Sequence, residues 1–181
     1  MRVITGSAKG TNLISVKGME TRPTSDRNKE AVFSILSDQV VDAQVLDLFA
    51  GSGALGIEAI SRGAKSCVFT DHHRNSIAAI KTNLEKTRFL DKSEVIQTDA
   101  FSYLRGCKTK FDIVFMDPPY DKNFIQKSLS MMDINDIMSH KGVIVCESSS
   151  KDLIEDQYVH FFKGREYLYG GTKITILHAR G

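Results

Sequence analysis

The stretch Val45–Gly56, VLDLFAGSGALG, constrains this chain more than any other. It opens as a short apolar run of buried-strand type, Val45-Leu46-Asp47-Leu48-Phe49. It then breaks at Ala50, and Gly51, Gly53 and Gly56 satisfy the spacing G-x-G-x-x-G. Leu55, Ile57, Ala59 and Ile60 carry a helical pattern that ends near Arg62-Gly63. Strand, glycine turn and helix, in that order, is the setting a nucleotide-binding fingerprint requires. Gly51 is expected to turn the chain at positive φ, Gly53 to let a ligand approach bare backbone, and Gly56 to seat the helix on its strand. Amides at the start of that helix then face the ligand with partial positive charge.

Two carboxylates qualify what the ligand is. Asp71 ends the next apolar run, Cys67-Val68-Phe69-Thr70, at the place where the fingerprint wants an acid to accept from ribose hydroxyls. Asp47 lies inside the first strand, just ahead of the glycines. A carboxylate there repels the pyrophosphate of a dinucleotide and suits a cation. S-adenosylmethionine carries an ammonium and a sulfonium, so Asp47 favours it over NAD.

From Val45 onward, strands are expected near Val45–Phe49, Ser66–Thr70, Glu94–Thr98, Phe111–Met116 and Gly142–Glu147. Helical patterns occupy Ala54–Arg62, Arg74–Arg88, Ala100–Leu104 and Asn123–Met132, with a shorter one near Asp152. This rhythm predicts an α/β fold, a doubly wound and mostly parallel sheet with helices on both faces. Tyr158–Lys163 and Lys173–Ala179, separated by Tyr169-Gly170-Gly171, read as a C-terminal antiparallel hairpin. Residues 1–20 read as a basic N-terminal β-hairpin extension, with strand-like runs at Arg2–Thr5 and Leu13–Val16. Residues 21–181 form the one remaining domain.

With 41% hydrophobic and 25% charged residues the composition is that of an ordinary globule, and a net charge of +2 gives no global pull toward nucleic acid. The distribution is more telling. Arg2, Lys9, Lys17, Arg22, Arg27 and Lys29 stand against Glu20, Asp26 and Glu30 in the first thirty residues, a candidate phosphate-binding patch. Cys67, Cys107 and Cys146 have no metal-ligand spacing, and two of them sit on predicted buried strands, which fits a reducing cytoplasm. The histidines, His72-His73 included, form no metal motif, and no apolar run reaches the ~18 residues of a membrane span.

The second stretch with chemistry is Asp117-Pro118-Pro119-Tyr120, at the end of the fourth core strand. Two prolines make a stiff loop that lacks two amide donors. In a doubly wound sheet this loop and the Gly51 loop face one crevice. An exocyclic base amine is a poor nucleophile because its lone pair is delocalised into the ring. Asp117 and the Pro118 carbonyl, accepting from its N–H groups, would orient it and favour positive charge at nitrogen. The ring of Tyr120 offers a stacking surface to a flipped base. Between the two loops, Asp99 suits the adenine amino group or the cap of the helix behind it, and the Ala100 amide suits the adenine ring.

With these residues placed, the chain resembles the RsmD family of bacterial 16S ribosomal RNA guanine-N2 methyltransferases. The resemblance rests on Arg2-Val3-Ile4-Thr5-Gly6, Arg22-Pro23-Thr24-Ser25-Asp26-Arg27, Leu46–Gly56 and Asp117-Pro118-Pro119-Tyr120. It implies a class I fold, Rossmann-like, of seven strands with an antiparallel C-terminal strand. It also implies methyl transfer from S-adenosylmethionine to a guanine N2 in 16S rRNA, on a small ribosomal subunit, by a monomer that needs neither metal nor membrane. The candidate cofactor residues are then Asp47, Phe49, Gly51, Ser52, Gly53, Asp71, His72, Asp99 and Ala100. The target base falls to Asp117, Pro118, Pro119 and Tyr120, and the RNA to Arg2, Lys9, Lys17, Arg22, Thr24 and Arg27. Family members often carry Phe in place of Tyr120, and both rings stack. An adenine-N6 DNA or RNA methyltransferase shares the D-P-P-Y segment and is the nearest rival. An NAD-dependent oxidoreductase and a non-catalytic RNA-binding module stand further off.

Overall fold

The apolar runs pair into one seven-stranded sheet of order β3-β2-β1-β4-β5-β7-β6. The computed structural model describes residues 1–16, 26–119 and 123–181. Its elements run α1 (Asp26–Leu36), β1 (Gln44–Asp47), α2 (Ala54–Ser61), β2 (Ser66–Asp71), α3 (Arg74–Thr87) and β3 (Ser93–Gln97). They continue through α4 (Ala100–Gly106), β4 (Phe111–Met116), α5 (Phe124–Asn135), β5 (Met138–Ser149), β6 (Phe161–Tyr169) and β7 (Thr172–Ala179). Strands β1 to β5 are parallel, and β7 runs against both of its neighbours. The doubly wound, mostly parallel α/β sheet expected from the strand–helix rhythm is observed, with the seven strands and antiparallel C-terminal strand of the class I fold that the resemblance implies.

Strands that bury both faces lose the polar alternation of a half-exposed sheet. Val45, Ile113, Phe115, Val143, Val145 and Ile176 face one apolar layer, shared with Val32 and Phe33 of α1, Ile57 and Ile60 of α2, and Ile80 of α3. Leu46, Leu48, Val114, Ile144 and Leu177 face the other, shared with Leu104 of α4 and Leu129 and Met132 of α5. Asp47 therefore points to the α2 side, a carboxylate among apolar neighbours. Cys67 and Cys146 are buried within the sheet, and burial pushes both thiols up.

Three local expectations are corrected. β5 begins at Met138, four residues before the apolar run, because Phe111 pairs with Met138 before the register shifts to Ile113 and Val143. No helix forms near Asp152: its carboxylate accepts from the Ser149 amide at 2.9 Å and its carbonyl from the Lys173 ammonium, which makes a turn. The strand placed at Tyr158–Lys163 starts at Phe161 and continues past Gly164, where the register shifts between Lys163 and Glu166. A Cβ at Gly164 would come within 2.8 Å of the His178 ring, so this glycine permits a bulge rather than ending the strand.

The first residues fold back as a small hairpin, with an antiparallel bridge from Arg2 to Asn12 and a Leu13 N–H to Met1 carbonyl bond of 3.0 Å. Val3 and Leu13 join the core, each contributing roughly 1.5–3 kcal/mol by burial. Glu58 of α2 anchors this hairpin. Its carboxylate accepts from the Ile4 amide at 2.8 Å and the Thr5 amide at 3.0 Å, and pairs with Lys29 at 3.1 Å and Arg62 at 2.8 Å. Lys29 and Glu58 have 0% side-chain exposure. Lys29 is therefore not part of an RNA-facing patch; its ammonium is spent on Glu58 and the Arg2 carbonyl.

Candidate active site

Strand order reverses between β1 and β4, and a cleft of about 340 Å³ opens beyond their C-terminal ends. Two hydrogen bonds set its floor: the Ala50 amide to the Thr70 carbonyl at 3.0 Å, and the Thr70 hydroxyl to the Leu48 carbonyl at 2.7 Å. They bring the glycine loop beside the end of β2. Gly51, at φ +55, lines the cleft with open space where a Cβ would stand. Gly53, at φ +78, does not line it: a Cβ there would meet Ile80, Ile57 and Phe69. The bare backbone offered to a ligand is thus at Gly51 and Ser52, and Gly53 serves the turn into α2. Gly56 lets α2 lie on β2, since a Cβ would come within 2.3 Å of Phe69.

Asp71 is 8% exposed and lines the cleft. One carboxylate oxygen accepts from the Gly51 amide at 2.9 Å and the other from the His73 amide at 2.8 Å. These bonds fix its orientation and leave each oxygen a further lone pair. Asp47 also lines the cleft, yet it is 3% exposed and accepts from the Gly56 amide at 3.0 Å. Burial pushes its carboxyl up to about 7, against the pull of that amide and with help from the nearby Asp71 charge. His72 lines the cleft too, with its ring tilted against that of His73.

Beside Asp71, at the end of the neighbouring β3, Asp99 caps α4 through the Ser102 amide at 2.9 Å, and Ser102 holds its carboxyl below the usual range. It still lines the cleft beside Ala100, so capping α4 does not take it away from the cleft wall. Asp117 and Pro119 line the cleft at the end of β4, while Pro118 is buried away from it. Tyr120 lies outside the described residues.

Sequence reasoning missed an aromatic wall. Phe49, expected near the cofactor, stacks with Phe124 at 6.0 Å between ring centroids. Phe101 meets Phe124 edge-on at 5.5 Å and carries the Lys127 ammonium 4.0 Å above its ring. The three rings line the cleft. Phe101 follows Asp99-Ala100 directly, a signal that was available; Phe124 comes from the next helix and gave none. Met1, Ser15 and Val16 also line the cleft, carried there by the hairpin. Of the expected RNA contacts, Arg2, Lys9 and Arg27 are exposed and none lines the cleft, whereas Lys17, Arg22 and Thr24 lie outside the described residues. Arg2 is 3.9 Å from Asp26. Among the described residues no group of His, Cys, Asp or Glu is arranged to hold a metal, and no helix is long and apolar enough to cross a membrane.

The model of the family described as Conserved hypothetical protein 95 matches residues 1–178. The chain is 36% identical to YlbH of Bacillus subtilis (strain 168), over 100% of both chains. It is 34% identical to "Ribosomal RNA small subunit methyltransferase D" of Escherichia coli (strain K12), over 82% of this chain and 74% of that one. It belongs to the RsmD family. The solved structure of Escherichia coli yhhF superposes with a TM-score of 0.88 at 29% identity, covering 99% of this chain and 98% of that chain. The RsmD match takes in the N-terminal hairpin as well as the sheet, in keeping with a hairpin whose residues reach the cleft.

Proposed function

We propose that this RsmD-family member transfers a methyl group from S-adenosylmethionine to the exocyclic N2 of a guanine in 16S rRNA, on a small ribosomal subunit. The observation that carries the reading is one cleft bounded by the Gly51 loop and Asp71 on one side and by Asp117 and Pro119 on the other. When bound, S-adenosylmethionine supplies an electrophilic methyl on a sulfonium. The residues present fit it. Asp71 keeps lone pairs for two ribose hydroxyls, Asp99 faces an adenine amino group, and the Ala100 amide and the rings of Phe49, Phe101 and Phe124 suit the purine. Gly51 and Ser52 present backbone to the amino-acid end, and Asp47 suits its ammonium.

Asp117 accepts from the target amine and orients its lone pair, from a loop that Pro118 and Pro119 stiffen, and Tyr120 stacks on the base. Arg2, Lys9, Lys17, Arg22, Thr24 and Arg27 border the RNA, with cations holding phosphate and RNA shape giving specificity. The test incubates the protein with labelled S-adenosylmethionine and unmethylated small subunits, naked ribosomal RNA or DNA. N2-methylguanosine from small subunits is expected; N6-methyladenine or label in DNA would overturn the substrate assignment.

Asp71→Ala is expected to weaken S-adenosylmethionine binding about tenfold, because it removes charge-assisted hydrogen bonds worth roughly 1.5–3 kcal/mol. Calorimetry on the folded variant checks this, and unchanged affinity would remove Asp71 from the ribose.

Asp47 gives a pH prediction. Its carboxyl is raised in the folded chain to about 7, so the native state holds a proton that the unfolded chain has lost. The contribution of this group to stability therefore falls as pH rises from about 4 to about 7. A cation bound beside it favours the ionised form, so cofactor binding near pH 7 is expected to release protons. Calorimetric heats in two buffers of different ionisation enthalpy measure that release. Equal release from Asp47→Asn would place its source elsewhere.

A further inference from the structure

Asn83 is an α3 residue with 0% exposure, and it does not line the cleft. Its carboxamide nitrogen donates to the Ser52 carbonyl at 2.9 Å and to the Ile14 carbonyl at 3.0 Å. Its carboxamide oxygen accepts from the Ile14 amide at 2.8 Å. Both main-chain groups of Ile14 are therefore answered by one side chain, as a neighbouring strand would answer them. The remaining N–H of that side chain holds the glycine loop.

The partners of Asn83 are walls of the cleft. Ser52 lines it, and so do Ser15 and Val16, the residues immediately after Ile14. We propose that Asn83 is a positioning residue for the cofactor: one buried carboxamide ties the Ser52 carbonyl to the hairpin strand at Ile14 and so sets the width of the cleft between them. The inference rests on the cofactor reading above. The chemistry is particular to this side chain. Two N–H donors and an acceptor must sit on one short planar group. Aspartate lacks the donors and would set a charge against two carbonyls, and leucine lacks all three functions.

The buried partners give the tie its strength. Ser52, in the glycine loop, has no side chain among the core residues to fix it, and its carbonyl is held from behind by Asn83 alone among the hydrogen bonds of the described residues. The hairpin end is held on its other side by the Glu58 and Ser61 contacts to Ile4, Thr5 and Ala8, so releasing Ile14 frees the cleft end without undocking the hairpin.

The experiment uses the full chain and two variants. Asn83→Ala cuts every bond of the tie. Ile14→Pro removes only the Ile14 N–H, at a position 38% exposed, and leaves Asn83 with the glycine loop. Circular dichroism and thermal melts establish folding, and calorimetric titration with S-adenosylhomocysteine reads the site. Folded Asn83→Ala is expected to bind about tenfold more weakly, with KM for S-adenosylmethionine raised in step and kcat at saturating cofactor within about twofold. A folded variant with a lowered melting temperature and unchanged Kd and KM overturns the inference, because a merely structural asparagine behaves that way. If Asn83→Ala does not fold, Ile14→Pro decides, with about threefold weaker binding expected and unchanged binding overturning the tie. A parent chain that binds no S-adenosylhomocysteine overturns the cofactor reading and this inference with it. Binding by the parent with none of these changes overturns the inference alone.

Discussion

Asp117→Ala is expected to lower turnover by about a hundredfold or more while cofactor affinity stays within about twofold of the parent. Asp117 stands at the end of β4, whose carbonyl at Phe115 receives the Leu48 amide of the glycine-loop strand at 3.1 Å. The two loops are thereby fixed to one another, and Asp117 lines the cleft at the end of β4, across β1 from Asp71 at the end of β2. In the proposed reaction its task is confined to the moment when positive charge gathers on the target nitrogen, so its loss would belong to kcat. Single-turnover rates at saturating cofactor, beside calorimetric affinities, make the comparison. Parent-like turnover sinks the assignment; a tenfold loss of cofactor affinity with normal saturated turnover would move Asp117 to the cofactor.

Glu58→Ala is expected to cost about 3–5 kcal/mol of stability, which for a chain of this size lowers the melting temperature on the order of 10 °C. The substitution leaves the Lys29 ammonium buried with, among the described residues, only the Arg2 carbonyl as a polar partner, and it strands the Ile4 and Thr5 amides. Replacing both charges, as Glu58→Leu with Lys29→Met, is expected to recover part of the loss, since the unpaired charge is the larger cost and the orphaned amides remain. Urea denaturation of the three proteins tests the cycle. A Glu58→Ala cost below about 1 kcal/mol would mean that water reaches Lys29 and that the pair holds little.

What was legible in the sequence follows from range. β1, β2 and β4, the helices after them and the cleft carboxylates were readable because each rests on a local pattern: a short apolar run, a glycine spacing, an acid at a strand end. The polar start of β5 was not, because Met138 is recruited by Phe111 across the sheet. Lys29 read as surface charge because nothing near it in sequence announces Glu58, and nothing near Asn83 in sequence announces Ser52 and Ile14 as its partners. The hairpin's share of the cleft was hidden for the same reason. Gly53 shows the opposite case, where the motif was right and the division of labour within it differed: the space a ligand can approach is at Gly51.

The strand order has a consequence for how the chain is made. β7 is the last of the seven strands in sequence, yet it lies inside the sheet between β5 and β6. Until it emerges from the ribosome, β5 has no partner on that side, and Val143-Ile144-Val145-Cys146 forms an apolar strand with an open edge. β6, synthesised just before, pairs with β7 and not with β5, so it offers no temporary cover. The hairpin waits as well, since Ile4 and Thr5 are made more than fifty residues ahead of Glu58 and Ile14 nearly seventy ahead of Asn83. The hairpin can therefore dock once Asn83 has emerged, whereas the sheet closes only when β7 does, through slow non-local pairings. The interval before β7 arrives is when the nascent chain is most exposed to aggregation and most in need of a chaperone.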